Sequence, residues 1–137
     1  MILLDTHVLV WALEDDARLG PMARAALDRA SAAGAVHIAA ITPWEIALLV
    51  QKGRLALTED VGAWLDAVLA LPALRLAPLE PAIAVDSVRL PEALHPDPAD
   101  RLIIATARHL RVPLLTADRA ILDYGAAGHV AVLDAAR

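Results

Sequence analysis

Two hydrophobic patterns alternate along the chain. MILLD (1–5), VHIAAI (36–41), VPLLTAD (112–118) and HVAVLD (129–134) are short, nearly continuous apolar runs. Such runs suit strands buried on both faces of a parallel sheet. RLAPL (75–79) is a weaker run of the same kind. Between them apolar residues recur at helical spacing, over 7–14, 21–33, 42–53, 58–71, 80–90 and 98–111, with a short helix after Asp118. Several starts carry cap signals: Thr42 before Pro43, Thr58, and Asp97 before Pro98. Pro81 sits in a first turn, while Gly34 and Gly53 close two helices. Strands alternating with helices predict an α/β fold of three layers, α/β/α, around a central parallel sheet of four to five strands. A length of 137 residues fits one domain, 1–137.

Such a sheet binds ligands at the carboxyl ends of its strands, beside the point where strand order reverses. Asp5 ends the first strand, and Asp118 follows the strand at 112–116. If the chain winds outward from strand one and then reverses, these two strands are neighbours and their acids flank one crevice. The helices starting at Thr42 and Asp97 carry Glu45 and Asp100 in their first turns. Each acid also has a structural reading. Asp5 or Thr6 suits the cap of the first helix, Thr42–Glu45 matches a capping box, Asp97–Asp100 resembles one, and Asp118 suits the cap of the short helix. Four carboxylates around one crevice would repel one another and raise each other's pKa. A divalent cation among them makes the cluster tolerable, and hard oxygen donors suit Mg²⁺ or Mn²⁺. Carboxylate-bound metal is also the usual equipment for cutting phosphodiesters.

The formal charge of −5 argues against a broad nucleic-acid-binding face, unless several acids are neutralised by metal. Hydrophobic residues make up 58% of the chain, and its mean hydropathy is +0.55. That excess implies apolar surface covered by another chain. No run of eighteen apolar residues lacks a charge or proline, so no membrane span is expected. The amino terminus lacks a basic region, and Asp5 and His7 interrupt its apolar stretch, which makes a poor signal peptide. The absence of cysteine excludes disulfides and thiolate metal sites, and a cytoplasmic protein is expected. The five histidines show no zinc spacing, and His7 and His95 read as loop residues near the crevice. Arg101 and Arg119 fit either RNA phosphates or neighbouring carboxylates, and Lys52 and Arg54 fit a solvated helix end. Trp11, Trp44 and Trp64 are expected in the core or an interface. There is no GxGxxG, P-loop or nucleophile-elbow motif.

MILLDTHVLVW, ITPWEIALLVQKGRL, HPDPADRLIIATAR and LLTADRAI, in that order, resemble the four acidic motifs of PIN-domain ribonucleases. Within that family the chain is most similar to VapC-type toxins of bacterial toxin–antitoxin pairs, from Met1 to about Leu133. The resemblance implies a PIN-like domain in which Asp5, Glu45, Asp100 and Asp118 are the catalytic, metal-binding acids. Thr6 and Thr116 would be hydroxyl neighbours that orient carboxylates or water, and Asp97 matches an acid found in part of the family. Thr42 stands where serine is frequent, and Pro96 and Ala99 replace residues that are often basic and aromatic. The implied function is a metal-dependent endoribonuclease toxin using Mg²⁺ or Mn²⁺. Its expected partners are an RNA substrate, a cognate antitoxin and a second copy of the chain. A PIN nuclease outside any toxin pair is the nearest alternative. A haloacid-dehalogenase-like phosphatase would want DxD where Asp5-Thr6-His7 stands, and a phosphoreceiver would want a lysine that LLTADRA lacks.

Overall fold

The computed structural model describes residues 1–92 and 97–137; His95 and Pro96 lie outside them. Five strands form one wholly parallel sheet: β1 (Ile2–Leu4), β2 (Val36–Ala39), β3 (Leu74–Ala77), β4 (Leu114–Thr116) and β5 (Val132–Asp134), in the order β3-β2-β1-β4-β5. Among the described residues seven helices accompany them: α1 (Thr6–Leu13), α2 (Pro21–Ala32), α3 (Thr42–Gln51), α4 (Val61–Leu69), α5 (Pro81–Arg89), α6 (Pro98–Leu110) and α7 (Arg119–Ala126).

The central strand explains the layering. Every residue of β1 is buried, because alternate side chains enter opposite cores. Ile2 and Leu4 join a cluster with Val8 of α1, Leu27 of α2, Ile46 of α3 and Val68 of α4. Leu3 joins a second with Ile103 and Ile104 of α6 and Ile121 of α7, and α5 lies against α6. Leu3 is fully buried, so its truncation to alanine would cost about 2–5 kcal/mol. The parallel α/β/α architecture expected from the alternation is what forms.

β1 pairs with β2 on one side and β4 on the other, Leu3 facing both His37 and Leu114. The chain therefore leaves β1 through β2 to β3, then crosses back to β4 and β5. The reversal falls between β1 and β4, so the carboxyl ends of these neighbours face one crevice.

Local boundaries differ in instructive places. The helix expected from Thr58 starts at Val61, where Asp60 caps it by accepting from the Ala63 amide at 3.1 Å. The capping box at Thr42–Glu45 does not form. Ile41 occupies the cap position in helical conformation with no side-chain bond, and Thr42 is already inside α3. Trp11 and Trp64 pack against the first cluster, but Trp44 is 56% exposed and does not enter the core. Among the described residues no helix is long and apolar enough to cross a membrane.

Candidate active site

The site begins where β1 ends. Asp5 is buried at the strand-to-helix junction, and both carboxylate oxygens are engaged. Oδ1 accepts the Thr6 amide at 2.8 Å, which caps α1. Oδ2 accepts the Thr116 hydroxyl from the end of β4 at 2.7 Å. Thr116 Oγ1 in turn accepts the Asp118 amide at 3.0 Å. One buried hydroxyl thus ties the acid after β1 to the acid after β4. Asp118 caps α7 through the Ile121 amide at 3.1 Å.

A second hydroxyl link reaches α3. Thr6 Oγ1 donates to Glu45 Oε1 at 2.6 Å and lies 3.1 Å from Thr42 Oγ1. Because a hydroxyl carries one proton, Thr6 gives its own to Glu45 and accepts that of Thr42. Burial pushes the Glu45 carboxyl above its ordinary pKa. The Thr6 hydroxyl opposes that shift, and the charges of Asp5 and Asp97 add to it.

Asp97 and Asp100 open α6. Asp97 accepts the Ala99 amide at 2.9 Å and the Asp100 amide at 3.4 Å, so the cap expected here is present. Asp100, in the first turn, is pushed up to about 8, by burial first and then by Asp5, Asp97, Asp118 and Glu45. Four acids, three from other places in the chain and one from its own helix start, therefore act on Asp100. Arg101 donates to the Ser87 carbonyl at 3.3 Å, and Arg119 is exposed. A concavity of about 660 Å³ beside Arg108, Arg111 and His129 lies at the opposite end of α6 and holds none of the acids.

Two contacts were not legible in the sequence. Thr42, read as a cap, is a fully buried partner of Thr6. His7 lies at the start of α1, as the helical spacing expects, but it is half-buried rather than a solvated loop residue and accepts the Ala117 amide through Nε2 at 3.1 Å. The only signal for the second was the inferred neighbourhood of β1 and β4, which places residue 7 opposite residue 117.

The PIN domain family model matches residues 2–127. The chain is 35% identical over 123 residues to Ribonuclease VapC22 of Mycobacterium tuberculosis, an alignment covering 90% of this chain and 91% of that protein. Its fold is similar to that of VapBC2 from Rickettsia felis, solved bound to a DNA fragment from their promoter. The TM-score is 0.69 at 17% identity, over 97% of this chain and 98% of the other. It is also similar to FitAcB from Neisseria gonorrhoeae, with a TM-score of 0.65 at 27% identity over 98% and 97% of the two chains. The matched model spans all four acids and both hydroxyl links, and on these grounds the chain belongs to the PIN-domain family.

Proposed function

We propose that this chain is a metal-dependent endoribonuclease, the toxin of a toxin–antitoxin pair, with residues 1–137 forming one nuclease domain. What supports the reading is the hydroxyl network at the reversal point of a PIN-domain sheet, which ties Asp5 to the Asp118 turn through Thr116, and α1 to Glu45 through Thr6. Asp97 and Asp100 open the helix whose first turn feels these charges. The likeness to Ribonuclease VapC22 supports ribonuclease activity, and the resemblance of the four acidic motifs to VapC-type toxins supports the toxin role.

The donor set fits a divalent cation by its chemistry. Asp5 and Asp118 keep lone pairs beyond those used by Thr6, Thr116 and Ile121, since each carboxylate oxygen can accept twice. Oxygen-only donors favour Mg²⁺ or Mn²⁺ over zinc. Among the described residues no three histidine or carboxylate side chains stand as a set able to hold an ion, so the four acids would have to close in on the cation that they bind. Asp5, Glu45, Asp100 and Asp118 would hold the metal. When bound, it supplies an activated water and charge neutralisation at the scissile phosphate.

The residues themselves do the positioning. Thr116 fixes Asp5 and the start of the Asp118 turn, and Thr6 fixes Glu45. Asp100, pushed up to about 8, holds a proton at neutral pH in the metal-free chain, a proton that it would give up to serve as a ligand. Asp97 holds the helix start that presents Asp100, and its charge adds to the local field. An antitoxin and a second copy of the chain would cover the apolar surface, which includes Val88 at 80% exposure.

RNA incubated with the purified chain should be cut in Mg²⁺ or Mn²⁺, spared in excess EDTA, and spared by Asp5→Asn. Undiminished cutting in EDTA would overturn the metal mechanism. Light scattering on the same protein should return about twice the 14.5 kDa chain mass, and a monomer throughout the micromolar range would overturn the homodimer.

A further inference from the structure

We propose that His7 is a positioning residue, an imidazole clamp whose acceptor nitrogen fixes the turn between β4 and α7 and so sets the place of Asp118. Its functional consequence rests on the nuclease reading above; the clamp itself does not.

The backbone explains why a clamp is required. In the β1–β4 ladder the Leu3 amide donates to the Pro113 carbonyl, and the Asp5 amide to the Leu115 carbonyl. Continued one step, the ladder would give the Ala117 amide to the Asp5 carbonyl. That carbonyl is already taken by the Val8 and Leu9 amides, at 3.0 and 3.2 Å, because α1 starts there. The helix start therefore removes the strand partner of Ala117, whose half-buried amide is costly to leave unpaired. His7 Nε2 replaces it at 3.1 Å.

The ring is held for this task. Trp11 meets it edge-on, with centroids 4.9 Å apart and planes at 65°, and the Arg18 guanidinium covers Trp11 from beyond. Since Nε2 accepts, the ring proton sits on Nδ1, the nitrogen 3.6 Å from Asp5 Oδ2. Residues 116 and 117 are thus bound to residues 5 and 7 on consecutive steps. The Thr116 hydroxyl holds Asp5, and the Ala117 amide is held by His7. Asp118 is the next residue, and its own amide is bound back to Thr116. With the Ala117 bond removed, the Thr116 hydroxyl is, among the described residues, the hydrogen bond left between the Asp118 turn and the β1 end.

Two substitutions separate this role from simple packing. His7→Phe keeps a ring on Trp11 and removes the acceptor, whereas His7→Gln returns an acceptor oxygen at about the reach of Nε2. Three readouts follow: hydrogen exchange of the Ala117 amide by NMR, Mn²⁺ affinity of the metal-free protein by calorimetry, and kcat and KM for RNA cleavage. In His7→Phe, Ala117 should exchange about tenfold faster, as expected for one lost hydrogen bond. Mn²⁺ affinity should fall by about 10–100-fold, the usual effect of removing support around a metal site. The loss in cleavage should appear in kcat with KM held. His7→Gln should recover most of each. Unchanged Ala117 exchange in His7→Phe, or His7→Gln impaired as deeply as His7→Phe, would overturn the clamp. A raised KM with unchanged Mn²⁺ affinity would do so too, since it would make His7 a substrate contact. If His7→Phe does not fold, the nitrogen shifts of the wild-type ring decide: a proton on Nε2 rather than Nδ1 overturns the assignment. Should the wild-type chain cut no RNA while exchange and Mn²⁺ affinity respond as described, the clamp stands and the nuclease reading falls.

Discussion

Glu45 shows at the scale of single residues how structure and chemistry separate. Its carboxylate accepts a hydrogen bond from the Thr6 hydroxyl, which in turn accepts one from Thr42. Glu45→Gln keeps the shape and an acceptor oxygen but removes the charge that Asp5 and Asp97 oppose. The metal-free protein should then melt at an unchanged or higher temperature while Mn²⁺-dependent cleavage collapses. Thr6→Val should lower both, since it leaves Glu45 unoriented and Thr42 without its acceptor, at a cost of about 1–3 kcal/mol for the unpaired buried group. Melting curves and initial rates on the two variants decide. A Glu45→Gln protein that melts markedly lower yet cuts at the wild-type rate would reduce Glu45 to a structural residue. That Glu45 lies in a first turn was legible from Thr42-Pro43, because helix starts are written in local sequence. That Thr42 bonds Thr6 rather than capping was not. The choice between a local amide and a hydroxyl 36 positions away is made by packing, and no local pattern records it.

At the scale of elements, the start of α6 does two things with one residue. Asp97 caps through the Ala99 amide, and its charge adds to the repulsion on Asp100. Asparagine caps as well as aspartate does, whereas alanine does not cap. Asp97→Asn should therefore leave the melting temperature level or raise it, and Asp97→Ala should cost about 0.5–2 kcal/mol. Equal losses in both variants would show that the charge, rather than the cap, is what α6 needs. The existence and order of elements were legible because apolar runs and helical spacing alternate without interruption, and strand reversal then placed Asp5 beside Asp118. The seat of α7 was not. Gly125 lies inside α7, where an added Cβ would run into a Val132 methyl. It is a contact between α7 and β5, and its need for glycine depends on how closely those two elements meet.

For the whole molecule, the cluster of acids makes stability depend on protons and cations together. In the metal-free fold Asp100 is pushed up to about 8 from an ordinary 3.8. Between those values the folded chain binds a proton that the unfolded chain has lost, so stability falls as pH rises through this range and levels off above it. Glu45, also raised, acts in the same direction. Two groups act oppositely, but outside the useful window. Asp16, lowered to about 2 by Arg18, stabilises the fold as pH rises only up to its ordinary 3.8. His37, lowered by burial and Arg75, does so only up to its ordinary 6.5. Between about pH 7 and 8 the slope therefore belongs to the acid cluster. The metal-free melting temperature should fall across that interval, and Asp100→Asn should flatten the fall and start higher. A divalent cation competes with the same proton, so Mg²⁺ should raise the melting temperature more at pH 8 than at pH 7. At a hundred times its dissociation constant the ion contributes about 2.7 kcal/mol, about 10 °C for a domain of this size. Asp100→Asn should lose most of that response. Melting curves of the wild type and Asp100→Asn at the two pH values, with and without Mg²⁺, are sufficient. A wild-type protein whose metal-free stability is flat or rises between pH 7 and 8, and whose response to Mg²⁺ survives Asp100→Asn, would show that the acids act independently and that the crevice between β1 and β4 is not a metal site.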